Sequence, residues 1–120
     1  MHNLLLFDPN ERPLSVDTLD RIFRSVAGFS QVRYNTPIGT PIEADYAKDG
    51  DFTTVRLDSE RETISISGTS DAALQAAWLL QTHLQTPLRL VDTDYSFDLV
   101  VNDFKSLEEL HAAIDSARAN

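Results

Sequence analysis

The chain has 120 residues, of which 42% are hydrophobic and 24% charged, the size and balance of one ordinary globular domain able to bury a core. It has no cysteine, which excludes disulfides, thiolate metal sites and cysteine nucleophiles and suits a reducing, cytoplasmic setting. With 19 acidic residues against 10 basic ones the formal net charge is −9, a field that repels phosphate backbones and disfavours nucleic acid, but speeds encounter with a basic partner.

Residues 3–7 form an apolar run, Leu4-Leu5-Leu6-Phe7, halted by Asp8-Pro9. That is a buried strand, far short of an export segment or a membrane span, so no membrane role is expected. Ser15 is placed to cap a helix in which Val16, Leu19, Ile22, Phe23 and Val26 recur at helical spacing, with Gly28 where a left-handed residue closes it. Residues 29–34 alternate weakly as a second strand. From 35 to 51 two prolines, a glycine and the Asp49-Gly50 turn break the pattern, and the stretch is expected to be a long loop, functional or mobile. Residues 52–57 and 63–67 alternate with period two around Asp58-Ser59-Glu60-Arg61, which predicts a hairpin with Thr53, Val55 and Leu57 on one face.

Residues 62–101 organise the rest of the chain. Gly68-Thr69-Ser70-Asp71 stops the strand at 63–67 and caps a helix over 71–85. Its stripe is Ala73, Ala76, Ala77, Leu80 and Leu84, with Trp78 further round and Leu79 nearly opposite. Residues 88–91 and 95–101 are read as two more strands joined at Asp92-Thr93-Asp94. Ser106 and Glu109 form a capping box for a last helix carrying Leu107, Leu110, Ala113, Ile114 and Ala117 inward. The expected order is β-α-β-β-β-α-β-β-α in a single α+β domain over 1–120: a two-layer sandwich of three helices on a mostly antiparallel sheet. The buried set should include Val55, Leu57, Ile64, Ile66, Leu80, Leu84, Leu90, Leu99 and Leu110.

No catalytic constellation stands out. Asp92, Asp94, Ser96, Asp98 and Asp103 fall at the offsets of an EF-hand loop, but Phe97 occupies the position that needs glycine and the alternation of Tyr95, Phe97, Leu99 and Val101 is that of a strand. The segment is therefore read as a hairpin turn and strand rather than a calcium site. Gly68-Thr69-Ser70-Asp71 lacks the lysine and glycine spacing of a phosphate loop, and Asp71 would repel phosphate. His2, His83 and His111 are scattered, with no partner at metal spacing. No metal or cofactor is expected.

The remaining signal is acidic clusters with aromatics among them. Asp45, Asp49, Asp51, Asp58, Glu60, Asp92 and Asp94 sit in predicted turns or the long loop, where carboxylates can meet another surface. Trp78 and Tyr95, if uncovered, would supply apolar anchors within that acidic rim. In size, charge and α+β order, and in segments such as Ile64-Ser65-Ile66-Ser67-Gly68 and Phe97-Asp98-Leu99-Val100, the chain resembles bacterial immunity proteins. The resemblance implies a cytoplasmic protein that neutralises a cognate, basic toxin by binding it directly. Two other classes stay open at this stage: a small regulatory or structural module, dimeric through an exposed sheet edge, and an enzyme with a carboxylate site.

Overall fold

The computed structural model describes residues 3–68 and 70–118. His2 and Thr69 lie outside that set. The elements are strand β1 Asn3–Phe7, helix α1 Val16–Ser25, strands β2 Phe29–Tyr34, β3 Ile42–Lys48, β4 Asp51–Leu57 and β5 Thr63–Ser67, helix α2 Asp71–Leu84, strands β6 Arg89–Asp92 and β7 Asp98–Val100, a 3-10 turn Val101–Asp103, and helix α3 Leu107–Arg118. The strands make one seven-stranded sheet in the order β2-β3-β4-β5-β1-β6-β7, every neighbouring pair antiparallel. This is the expected α+β two-layer architecture in the expected order, with one strand, β3, added within the segment read as a loop.

Each helix begins where its serine can accept an otherwise unpaired N–H. Ser15 Oγ accepts from Thr18 N at 3.2 Å, Ser70 Oγ from Ala73 N at 3.4 Å and Ser106 Oγ from Glu109 N at 3.2 Å. Glu109 completes the box by accepting from Lys105 N at 3.4 Å. Across the sheet the register aligns Leu4 with Ile66, Ile66 with Val55 and Val55 with Ala44, while Leu6 lies between Ile64 and Leu90. Directly opposed residues share a face, so these side chains form a single apolar layer. That layer, with Leu19, Ile22 and Phe23 of α1, Leu80 of α2, and Leu110 and Ile114 of α3, is one contiguous core. The helices therefore cover one face of the sheet and leave the other bare. Leu84 and Leu99, expected in the core, pack against it but stay partly exposed, as do Trp78 and Leu79.

The bare face carries its charges in pairs. Glu43, only 5% exposed, accepts from Arg33 Nε at 2.7 Å and lies 3.5 Å from Arg56 Nε. Arg33 also donates to Asp45 Oδ1 at 3.0 Å, and Asp45 accepts from Thr54 Oγ1 at 3.2 Å. The Asp45 and Glu43 contacts hold the Arg33 guanidinium charge more firmly than in water, raising its pKa. Nearer the other edge Arg89 forms a two-pronged pair with Asp98. These cross-strand pairs explain why residues 42–48 are a strand: on the inner face Ile42, Ala44 and Tyr46 are buried, and on the outer face Glu43 and Asp45 find cationic neighbours.

A second correction concerns residues 95–97. Tyr95 has φ +54 and follows a turn in which its N–H donates to Asp92 O at 3.0 Å, so β7 starts only at Asp98. The Asp92 carboxylate causes this, accepting from Ser96 N at 2.7 Å and from the Ser96 hydroxyl.

Candidate functional site

An acidic cleft opens at the sheet end that holds the β3–β4 turn. Lys48 pairs with Asp51 across a two-residue loop, and Asp49 and Gly50 have φ +52 and +84, the signature of a type I′ hairpin turn that favours Asp-Gly. This tight turn projects Asp49 and Asp51 beside the start of α2, where Asp71 is the first helical residue and suits the positive end of the helix dipole. Helix α3 closes the other side with residues 107, 108, 111, 112 and 115, which share one helical face. The resulting cleft has a volume of about 500 Å³. Leu74, Leu107 and Ala112 give it an apolar floor. Asp49, Asp51, Asp71, Glu108 and Asp115 line it with carboxylates.

The basic side chains in the wall are Lys48 and His111. Lys48 Nζ donates to Gln75 Oε1 at 2.9 Å. His111 lies between two carboxylates, its Nδ1 3.2 Å from Asp115 Oδ2 and its Nε2 3.6 Å from Asp71 Oδ1. All three side chains of that cluster are at least half exposed, so it contributes little to stability. Among the described residues no group of three or more His, Asp or Glu side chains is arranged to hold a metal ion. What the cleft can do is receive a cationic group: a guanidinium or ammonium whose alkyl stem lies on Leu74 and Leu107 while its head meets the carboxylates.

The structure separates the residues singled out from the sequence. Asp49 and Asp51 line the cleft. Asp92, Asp94 and Tyr95 belong to the β6–β7 turn at the same end of the sheet, since Asn3 O accepts from Thr93 N at 3.0 Å and Asn3 pairs with Ser67. Tyr95 is 75% exposed there. Asp92 is a correction: it is 3% exposed, turned to the helix-covered face opposite Leu4, and engaged by Ser96 and by Arg118 at 3.5 Å. Burial pushes its pKa up, but the Ser96 hydrogen bonds and the Arg118 charge outweigh burial and hold it below the usual carboxylate value. Its role is to fix the turn.

Asp45 is committed to Arg33 on the bare face. Asp58 and Glu60 lie at the opposite end of the sheet, where Asp58 Oδ1 accepts from Glu62 N at 2.8 Å and Thr63 N at 3.2 Å to shape the β4–β5 turn. Trp78 is half-buried and lines a second, smaller pocket. The sequence reading missed Asp71 as a cleft residue, and Glu108, His111 and Asp115 with it. The last three do share one polar face of α3, but nothing local says that this face meets the β3–β4 turn. No protein-family model, curated protein or solved structure matches this chain, and its function has to be read from the cleft itself.

Proposed function

We propose that this chain is a binding protein whose acidic cleft receives a basic protein, in the manner of an immunity protein that neutralises a cognate toxin. The observation that carries the reading is the cleft: five carboxylates, one lysine and one histidine around an apolar floor. Arginine and lysine stems cover apolar surface while their heads seek carboxylates, so floor and walls suit the same side chain. The contacts proposed are Asp49, Asp51, Asp71, Glu108 and Asp115. Asp94 and Tyr95 lie at the same sheet end, while Asp92 is left out because its carboxylate holds its own turn.

The test uses a basic partner co-purified from the native host, with association and dissociation rates measured at low and high ionic strength. Wild type is compared with the Asp49→Asn/Asp51→Asn double variant, both positions being exposed. Association should slow as salt rises and slow again in the variant, with dissociation changed less, because rim charges act mainly on encounter. Association indifferent to salt and to both substitutions would place the interface elsewhere and remove the reading.

A further inference from the structure

We propose that the pocket at the C-terminal end of α2 is a binding site for a neutral aromatic ring carrying an amide-like hydrogen-bonding edge. It lies toward the C-terminal end of α2, a helix of 14 residues and about 20 Å, while the acidic cleft lies at the N-terminal end. Its volume is about 310 Å³, room for about ten waters at about 30 Å³ each and within the range of small-molecule sites. Trp78 and Phe104 bring aromatic surface to it, and Val101, fully buried, forms part of its floor. Gln85, Thr86 and Asn102 supply amide and hydroxyl groups.

Two features define the ligand. Among the described residues no ionisable side chain lines this pocket, although a quarter of the chain is charged. An ion placed here would lose hydration without a countercharge, whereas a neutral polar edge can exchange water for amide hydrogen bonds. Flat aromatic surface beside those amides suits a planar ring better than an aliphatic chain, because ring–ring contacts add to simple area burial.

The pocket is also held open by its own scaffold. Buried Gln81 uses its amide at both ends: Nε2 donates to Thr86 O at 2.8 Å and Oε1 accepts from Leu88 N at 2.8 Å. Those bonds pin the Thr86-Pro87 wall to α2. The floor is tied by Val101 N donating to Leu88 O at 2.9 Å, and the chain turns back as Phe104 N donates to Val101 O at 3.2 Å. A wall fixed in advance avoids the ordering cost that a collapsing pocket imposes on binding.

Trp78 is the single tryptophan, so its indole N–H gives one unambiguous signal in a proton–nitrogen correlation spectrum. The probe is benzamide, titrated against the full chain, with benzoate and cyclohexanecarboxamide as charged and non-aromatic comparisons. Benzamide should cause saturable shifts at the Trp78 indole and at the Gln85 and Asn102 side-chain amides, with half-saturation about tenfold lower than for either comparison compound. Asn102→Phe, which fills an exposed rim position without adding a second indole, should raise half-saturation about tenfold while leaving distant signals in place. Shifts that grow linearly without saturating, shifts centred elsewhere, or no effect of Asn102→Phe would overturn the site. Equal binding of benzoate or of cyclohexanecarboxamide would overturn the ligand class.

Discussion

Gly28→Ala tests the packing of β2 and β3 against α1. Gly28 has φ +101, and a Cβ built there would lie 2.5 Å from Tyr46 Cε1, 3.1 Å from Cδ1 and 3.2 Å from Ala47 O. Two costs add. The left-handed backbone costs an alanine about 1–2 kcal/mol. Displacing the Tyr46 ring is an overpacking cost of about 1–3 kcal/mol, because the ring cannot swing away. Tyr46 is 5% exposed and packs on Phe29 at 4.8 Å between centroids, and Phe29 packs on Phe23 at 5.2 Å. The sum is about 2–5 kcal/mol, a fall of about 1–2.5 M in the urea midpoint at a slope of about 2 kcal/mol/M. Gly39→Ala and Gly50→Ala are the controls, with φ +85 and +84 and nothing within 4 Å of an added Cβ. They carry the backbone cost alone, about 1–2 kcal/mol. Urea unfolding followed by far-ultraviolet circular dichroism gives all three values. If Gly28→Ala costs no more than the controls, the close approach of Tyr46 is not a constraint and the reasoning fails.

Leu80→Ala should cost about 2–5 kcal/mol, since Leu80 is fully buried where α2 meets the sheet, and an unchanged denaturation midpoint would contradict that placement. Asp92→Asn should remove part of the acid sensitivity. With its carboxyl held below the usual value, Asp92 stabilises the wild type fully above the unfolded pKa of about 3.9, and that stability is lost as pH falls through the lower folded pKa. Urea midpoints measured from neutral pH down through this window should therefore fall more steeply in wild type than in the variant, and parallel curves would remove Asp92 from the account.

The elements that the sequence revealed are those whose hydrophobic period and end signals agree. In α2 the stripe from Ala73 to Leu80 coincides with the Ser70 cap, and in α3 the Ser106–Glu109 box coincides with Leu110 and Ile114. Residues 42–48 failed that test although Ile42, Ala44 and Tyr46 do alternate. Alanine, glutamate and aspartate are weak strand formers, and Pro37 and Pro41 suggested irregular backbone. Arg33 and Arg56, which neutralise the outer face of β3, lie on the strands either side of it, so the stabilising partners are invisible to a local reading. At Tyr95 the error ran the other way. Tyr95 and Phe97 alternate by accident, one 75% exposed in a turn and the other buried at 4%. The candidate cleft was half legible: a tight turn exposed Asp49 and Asp51, but the α3 carboxylates joined them only through tertiary packing.

Net charge alone does not single out a binding surface, because at physiological ionic strength a charge is screened over about 8 Å and only its near neighbours add to its field. The distribution of the acids matters more than their sum. On the bare sheet face Glu43, Asp45 and Asp98 are answered by Arg33, Arg56 and Arg89, so that face is nearly neutral at short range. Among the described residues, no ionisable side chain lines the pocket beside Trp78. In the cleft, by contrast, five carboxylates surround a space of about 500 Å³, which is about 8 Å across, comparable to the screening length, and among the described residues Lys48 and His111 are the basic side chains lining it. Their fields therefore reinforce one another where a partner would approach. A basic protein meeting this molecule would be drawn to the end where the β3–β4 turn, α2 and α3 converge, and the apolar floor there could then hold the stem of the side chain that the field brings in.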